Sequence, residues 1–173
     1  MPGKRVFVDT NVIIEAHRVG CWNAICGSYS IETVEECVEE SSRGNPEEPG
    51  YVHVPTDELR QSLAQLHQVT KQEIATLILS HSVCYVLDDG EKHIFARLYA
   101  DQILPSPGIM VSTPDKAAIV AAHKLGWLDS WVSLDILARQ AGVGKAALRQ
   151  FRMQHQDTWL SNAKTKILLG VLP

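Results

Sequence analysis

Short apolar runs alternate along the chain with longer segments whose apolar positions recur every three or four residues. That is the pattern of strands feeding helices in a parallel sheet. Arg5–Val8 opens it: Val6, Phe7 and Val8 are continuously apolar, as in a strand buried on both faces. A helix is predicted from Val12 into the region of Arg18, then a short strand over residues 29–31. Thr33 is placed to cap a helix whose apolar side is Val34, Cys37 and Val38. Residues 42–50 are polar and rich in Gly and Pro, and read as a loop, the most mobile element expected.

After Pro55 the spacing of Leu59, Leu63 and Leu66 predicts a helix capped by Thr56. Thr70 and Glu73 have the capping-box form ahead of Ile74, Leu77 and Ile78. Residues 83–87 predict a third strand, and Asp89 a cap for a helix from Gly90 to about Ala100. Ile109–Ser112 predicts a fourth strand, and Thr113-Pro114-Asp115 opens a helix that Gly126 ends. Residues 131–134 suggest a last short strand, and the remainder is helical with a break at Gly142-Val143-Gly144. The fold class predicted is α/β: three layers, α/β/α, around a mostly parallel sheet of four or five strands. Residues 1–134 make one domain, and residues 135–173 a helical extension packed on it.

A chain of 173 residues can bury a proper core. Its net charge of −4 argues against broad, non-specific polyanion binding, yet leaves room for a local basic face. The four cysteines form no CxxC pair, and Cys21 and Cys26 have no second pair to complete a zinc site, so buried reduced thiols are expected. The apolar stretch after Lys4 and Arg5 is broken by Asp9 and Asn11, which excludes a signal peptide or membrane span there. A cytosolic protein without membrane association is expected.

The chemistry lies in four acids. Asp9 directly follows the first strand, Glu40 lies on the helix after Thr33, and Glu91 and Asp115 fall in first helical turns downstream. Parallel strands put their carboxyl ends on one edge, so these positions can converge. Clustered carboxylates repel one another, and a hard divalent cation such as Mg²⁺ or Mn²⁺ supplies the missing positive charge. Taken singly, each acid is equally a good helix starter or a solvated side chain, and Glu36 competes with Glu40 for the second position.

The motifs Val-Phe-Val-Asp9-Thr10-Asn11, the helix acid, Leu87-Asp88-Asp89-Gly90-Glu91 and Ser112-Thr113-Pro114-Asp115 resemble those of the PIN-domain nucleases. Asp115, Ala122 and Gly126 follow the spacing of that family's last motif. The resemblance implies a metal-dependent endoribonuclease in which Asp9, Glu40, Glu91 and Asp115 bind Mg²⁺ or Mn²⁺. It implies that Asn11 orients Asp9 and that Thr113 lends a hydroxyl near the metal. It also implies an RNA substrate and, as possible partners, a protein inhibitor of antitoxin type or a second copy in a homodimer. Lys92 and Lys116, next to the third and fourth acids, are the best phosphate-contact candidates; Arg18, Arg97 and Lys124 are further ones. Two features depart from the family pattern: a Glu at position 91 where many members carry Asp, and the long extension beyond residue 134.

Two other classes fit parts of the chain. Residues 137–151 have the apolar spacing of a helix-turn-helix, with Lys145, Arg149 and Arg152 giving its second helix a basic side, which suggests a DNA-binding or regulatory module. A PIN-like fold without catalysis, serving protein association, is the third reading.

Overall fold

A computed structural model of the chain describes residues 3–171. Four strands, β1 (Arg5–Val8), β2 (Ser30–Val34), β3 (Gln65–His67) and β4 (Ile109–Ser112), form one sheet in the order β3-β2-β1-β4. Every pairing in it is parallel, with Phe7 opposite Glu32 on one side and opposite Val111 on the other. Val6, Phe7, Val8, Ile31, Val34 and Val111 are buried, as expected of strands covered on both faces.

Helices flank this sheet in a three-layer α/β/α arrangement. They are α1 (Thr10–Val19), α2 (Trp22–Ser28), α3 (Glu35–Ser41), α4 (Thr56–Ser62), α5 (Lys71–Ser80), α6 (Asp89–Asp101), α7 (Lys116–Lys124), α8 (Leu134–Gln140), α9 (Lys145–Leu148) and α10 (Asp157–Leu168). Helix α6 packs on β2 and on α3 and α5, while α2 lies against β2 and α8. Phe95, on α6, sits between Trp127 and Trp131 with ring centroids 5.5 Å away in each case, so these tryptophans belong to the core.

The order of the strands fixes where a ligand can enter. The chain leaves β1 for β2 and β3 on one side and returns to β4 on the other. The crevice at the carboxyl ends of β1 and β4 is therefore the topological switch point, where open parallel sheets bind their ligands. Asp9 follows β1 there, and Thr113 and Asp115 follow β4.

Several predicted elements differ. Residues 83–87 do not form a strand; Ser82–Val86 is a 3₁₀ turn in which Cys84, with Leu87 just past its end, is buried while Tyr85 and Val86 are exposed. Inward residues three apart suit a 3₁₀ turn and not the two-residue period of a strand. The helix predicted through Leu66 stops at Ser62, and the chain then pairs with β2 as the short edge strand β3. Thr33 caps no helix: it lies in β2, and its hydroxyl donates to the Val8 carbonyl at 2.6 Å. The strand expected over residues 131–134 reduces to a single parallel bridge between Val111 and Trp131, because Leu134 already starts α8. The capping box of α5 is present as predicted, with both reciprocal hydrogen bonds formed.

Beyond residue 134 the chain is anchored to the sheet domain by buried groups. Arg152 N donates to the buried Glu15 carboxylate at 2.8 Å, Lys164 donates to the Trp131 carbonyl at 2.8 Å, and Phe151 is buried. The outermost residues of the two predicted segments, 1–2 and 172–173, lie outside the described residues. The second helix of the helix-turn-helix pattern is only the four residues of α9. One turn of helix is about 6 Å long, too short to lay a recognition face along a major groove. No helix among the described residues is long and apolar enough to cross a membrane.

Candidate metal centre

Asp9 reaches the switch point because β1 ends at Val8 and α1 begins at Thr10, with Asp9 as the N-cap between them. Its Oδ1 accepts from Val12 N at 2.9 Å, which fixes the rotamer and turns the second oxygen towards the cleft. Asp115 does the same at α7, accepting from Ala118 N at 3.0 Å; it is thus the cap itself and not a first-turn residue. At α6, Asp88 holds the N-cap position without a capping hydrogen bond from its side chain, and Asp89 lies in the first turn. Freed from capping, the Asp88 carboxylate is available to the cleft.

Asp88, Glu91 and Asp115 bring one carboxylate oxygen each to within 4.8 Å of one another, a group able to hold a metal ion. Asp88 was not among the residues singled out from the sequence; its place three residues before Glu91, one helical turn, is the signal that finds it. Asp9, Thr10, Asn11, Glu40, Asp88, Asp89 and Glu91 line one cleft of about 380 Å³. Glu40 is held in it by Thr10, whose hydroxyl donates to Oε2 at 2.6 Å. Glu36 instead pairs with Arg43 at 3.4 Å. Between the two rivals for the second acid, only Glu40 faces the cleft.

Gly90 explains how α6 comes so near. A Cβ at this position would stand 2.8 Å from Glu40 Oε2 and 2.9 Å from Cys37 Sγ. A glycine lets the start of α6 approach α3 this closely without displacing either side chain.

Thr113 joins two of the acids: its Oγ1 lies 2.9 Å from Asp9 Oδ2 and 3.0 Å from Glu91 Oε1. A hydroxyl has one proton and can donate to only one of them. The second contact therefore needs a proton on a carboxyl. Burial, reinforced by the charges of Asp9, Asp115 and Asp88, pushes Glu91 up to about 9, and the Thr113 hydrogen bond opposes this. Asp9 is pushed up to about 7, again by burial first; the hydrogen bonds from Val12 N and Thr113 oppose this, and the charges of Asp115 and Glu40 add to it. Glu91 Oε2 is buried with no hydrogen-bond partner among the described residues. A buried carboxyl oxygen without a hydrogen-bond partner is destabilising unless something else satisfies it.

No hydrogen bond joins the Asn11 side chain to Asp9. The Asp9 oxygens are engaged by Val12 N and Thr113, and the exposed Asn11 side chain lines the open cleft. Of the cationic candidates, Arg18 is committed to Glu15 and the Gln150 carbonyl, and Arg97 to Glu73 and Asp101. Lys92 is half-buried and Lys116 exposed, each next in sequence to a cleft acid. The four cysteines are free thiols; Cys21, Cys37 and Cys84 are buried and Cys26 is half-buried.

A larger cavity, about 720 Å³, lies elsewhere, lined by residues that include Thr70, His81, Tyr99 and Trp127. Its one acid, Glu73, is neutralised by Arg97 at 3.0 Å, so it lacks the unpaired charge that marks the acid cleft. Compared with known proteins, the chain matches no family model, and no curated protein matches it significantly.

Proposed function

We propose that the chain is a metal-dependent endoribonuclease of PIN-domain type, which hydrolyses phosphodiester bonds of RNA at the acid cleft. The observation that carries this reading is the orphaned Glu91 Oε2, buried among Asp9, Asp88 and Asp115 at the switch point of a parallel sheet. Oxygen ligands alone, with no thiolate or imidazole among them, favour a hard ion such as Mg²⁺ or Mn²⁺.

Asp88, Glu91 and Asp115 would hold the ion, with Asp9 and Glu40 lining the same cleft. A divalent ion bound there supplies a water of lowered pKa and stabilises charge on the scissile phosphate. The residues of the chain do the rest. Thr113 fixes the Asp9–Glu91 spacing, and Thr10 fixes Glu40. With its single proton the Thr113 hydroxyl can donate to only one of Asp9 and Glu91, so the other carboxyl oxygen would be available to hold the ion. Lys92 and Lys116 flank the acids where phosphates of the strand would pass. RNA as substrate rests on the PIN-type motifs around Asp9, Glu91 and Asp115.

Cleavage of labelled single-stranded RNA, with single-stranded DNA alongside, in Mg²⁺, in Mn²⁺ and in EDTA tests this. Metal-dependent cutting of RNA should fall in Asp9→Asn by more than the roughly 10–100-fold that changes outside the ligand shell produce. Equal activity in the variant, or cutting that survives EDTA, removes the cleft from the reaction.

A further inference from the structure

Three residues before Asp88, Tyr85 is 70% exposed, and Val86 beside it is 69% exposed. A large ring and a branched apolar side chain thus face solvent side by side. This exposure is not the consequence of a frayed end. Cys84 and Leu87 on either side are buried, and the 3₁₀ turn that holds them sends Tyr85 and Val86 outward together. The turn packs against α5, α6 and α7, two of which carry cleft acids at their starts.

The ring also has a cation. Lys92 Nζ stands 5.9 Å from the Tyr85 ring centroid, and Lys92 directly follows Glu91. An aromatic face, an apolar neighbour and an ammonium are thus grouped within a few residues of Asp88 and Glu91, two acids that line the cleft. Three residues of chain span at most about 11 Å, so Tyr85 is within a few nucleotides of anything bound at Asp88.

We propose that Tyr85, with Val86 and Lys92, is a stacking platform for an unpaired base of a single-stranded RNA whose backbone enters the acid cleft. This rests on the nuclease reading and adds the form of substrate: a strand with at least one base free of its neighbours.

The cleft itself explains the need. Its carboxylates repel a polyanion, so affinity for the strand has to come from groups beside them. Base–aromatic stacking gives that without regard to charge, and Lys92 supplies a phosphate contact on the same platform. Bases inside a duplex have no free face, so the platform selects single strands, loops and ends. An apolar protein segment would use Tyr85 and Val86 as well, but it has no use for an ammonium held over the ring.

Fluorescence anisotropy with a labelled oligo(A) RNA tests this, in the full chain carrying Asp9→Asn so that the strand stays intact, with Mn²⁺ present. Tyr85→Ala should raise the Kd roughly 5- to 150-fold, the range for loss of one stacked base. Tyr85→Phe should keep wild-type affinity, because the ring and not the hydroxyl does the stacking. Annealing the RNA to its complement should weaken binding to the parent and leave the alanine variant little changed. Tyr85 is exposed, so the variant should fold, and unchanged Mn²⁺ affinity by calorimetry separates the platform from the metal centre. Equal Kd in Tyr85→Ala overturns the proposal while leaving the nuclease reading in place. Failure of the parent to bind any single strand, with Mn²⁺ still bound, overturns the proposal and the substrate reading together. Unchanged RNA affinity with loss of self-association in sedimentation would overturn it in favour of a face between copies of the chain.

Discussion

The fold buries acids in two different ways. Glu15 and Glu32 are 1% and 3% exposed, and Asp9 and Glu91 are 2% and 4% exposed, so burial alone does not separate them. Their partners do. Glu15 receives two hydrogen bonds from Arg18, at 2.7 and 2.8 Å, and one from Arg152 N at 2.8 Å. Glu32 receives Arg5 at 2.6 and 3.0 Å and His67 at 2.7 Å. Burial works to raise both, but these donors and charges outweigh it and hold Glu15 and Glu32 below the ordinary carboxylate range. In the cleft, burial acts with further carboxylates beside it, and Glu91 and Asp9 rise instead. A buried acid that the protein neutralises supports the fold. A buried acid left among other acids awaits a cation from outside.

Substitutions to the neutral amide should therefore have opposite signs in the two regions. Glu15→Gln, which leaves Arg18 and Arg152 short of their counter-charge, should lower stability by about 3 kcal/mol, the low end for breaking a buried pair because Arg18 still reaches solvent. Glu91→Gln should stabilise the metal-free protein at neutral pH, since it removes a carboxyl that folding forces to keep its proton. Urea titration in EDTA measures both. A Glu91→Gln protein destabilised as much as Glu15→Gln would erase the contrast.

The same contrast predicts a pH dependence. Between the ordinary 4.5 and about 9, the unfolded chain ionises Glu91 while the folded one keeps it protonated, so the metal-free protein loses stability as pH rises. For Glu15 and Glu32 the shift is downward, so their contribution is present above the ordinary carboxylate range and is lost as pH falls through their lowered values. At one fixed Mn²⁺ concentration, a hundred times the Kd at pH 6, the ion should add about 2.7 kcal/mol at that pH. The gain in melting temperature should be larger at pH 8 than at pH 6, because the ion displaces a proton. A pH-independent gain would mean that the ion binds away from Glu91.

The smallest effect expected is at the close approach of α6 and α3. An alanine at position 90 would gain up to about 1 kcal/mol of helix preference. Crowding Glu40 and Cys37 should cost roughly 1–3 kcal/mol, so Gly90→Ala should be destabilised by about 1 kcal/mol net. Thermal melts and Mn²⁺ calorimetry together check it, with weakened metal binding as the sign that Glu40 has been displaced. A fully stable variant with normal metal binding would show that the Gly90 contact with Glu40 is not needed.

What sequence reading captures here is whatever depends on near neighbours. Val6, Phe7 and Val8 read as a doubly buried strand because their own run is apolar, and β4 reads likewise. Asp9 and Asp115 sit where a parallel sheet gathers its strand ends, so the class of fold already implied their meeting. The 3₁₀ turn at Ser82–Val86 was legible in principle, since Cys84 and Leu87 are three apart, but Val83, Tyr85 and Val86 gave the run a strand-like composition. The edge strand β3 has three residues, and the Leu59, Leu63 and Leu66 spacing imitates a helix across its start.

Short-range pattern is thus enough to read the α/β class, β1 and β4, and the position of Asp9, Glu91 and Asp115 at the starts of helices. Long-range packing puts Glu40 and not Glu36 in the cleft, joins Asp88 and Glu91 to Asp115, and gives Asp9 its hydrogen bond with Thr113. It also decided which buried acids carry a counter-charge. Periodicity and capping are set within a few residues of chain. The partner of a charge is set by whatever the fold brings beside it, as when Arg152 reaches Glu15 from 137 residues away.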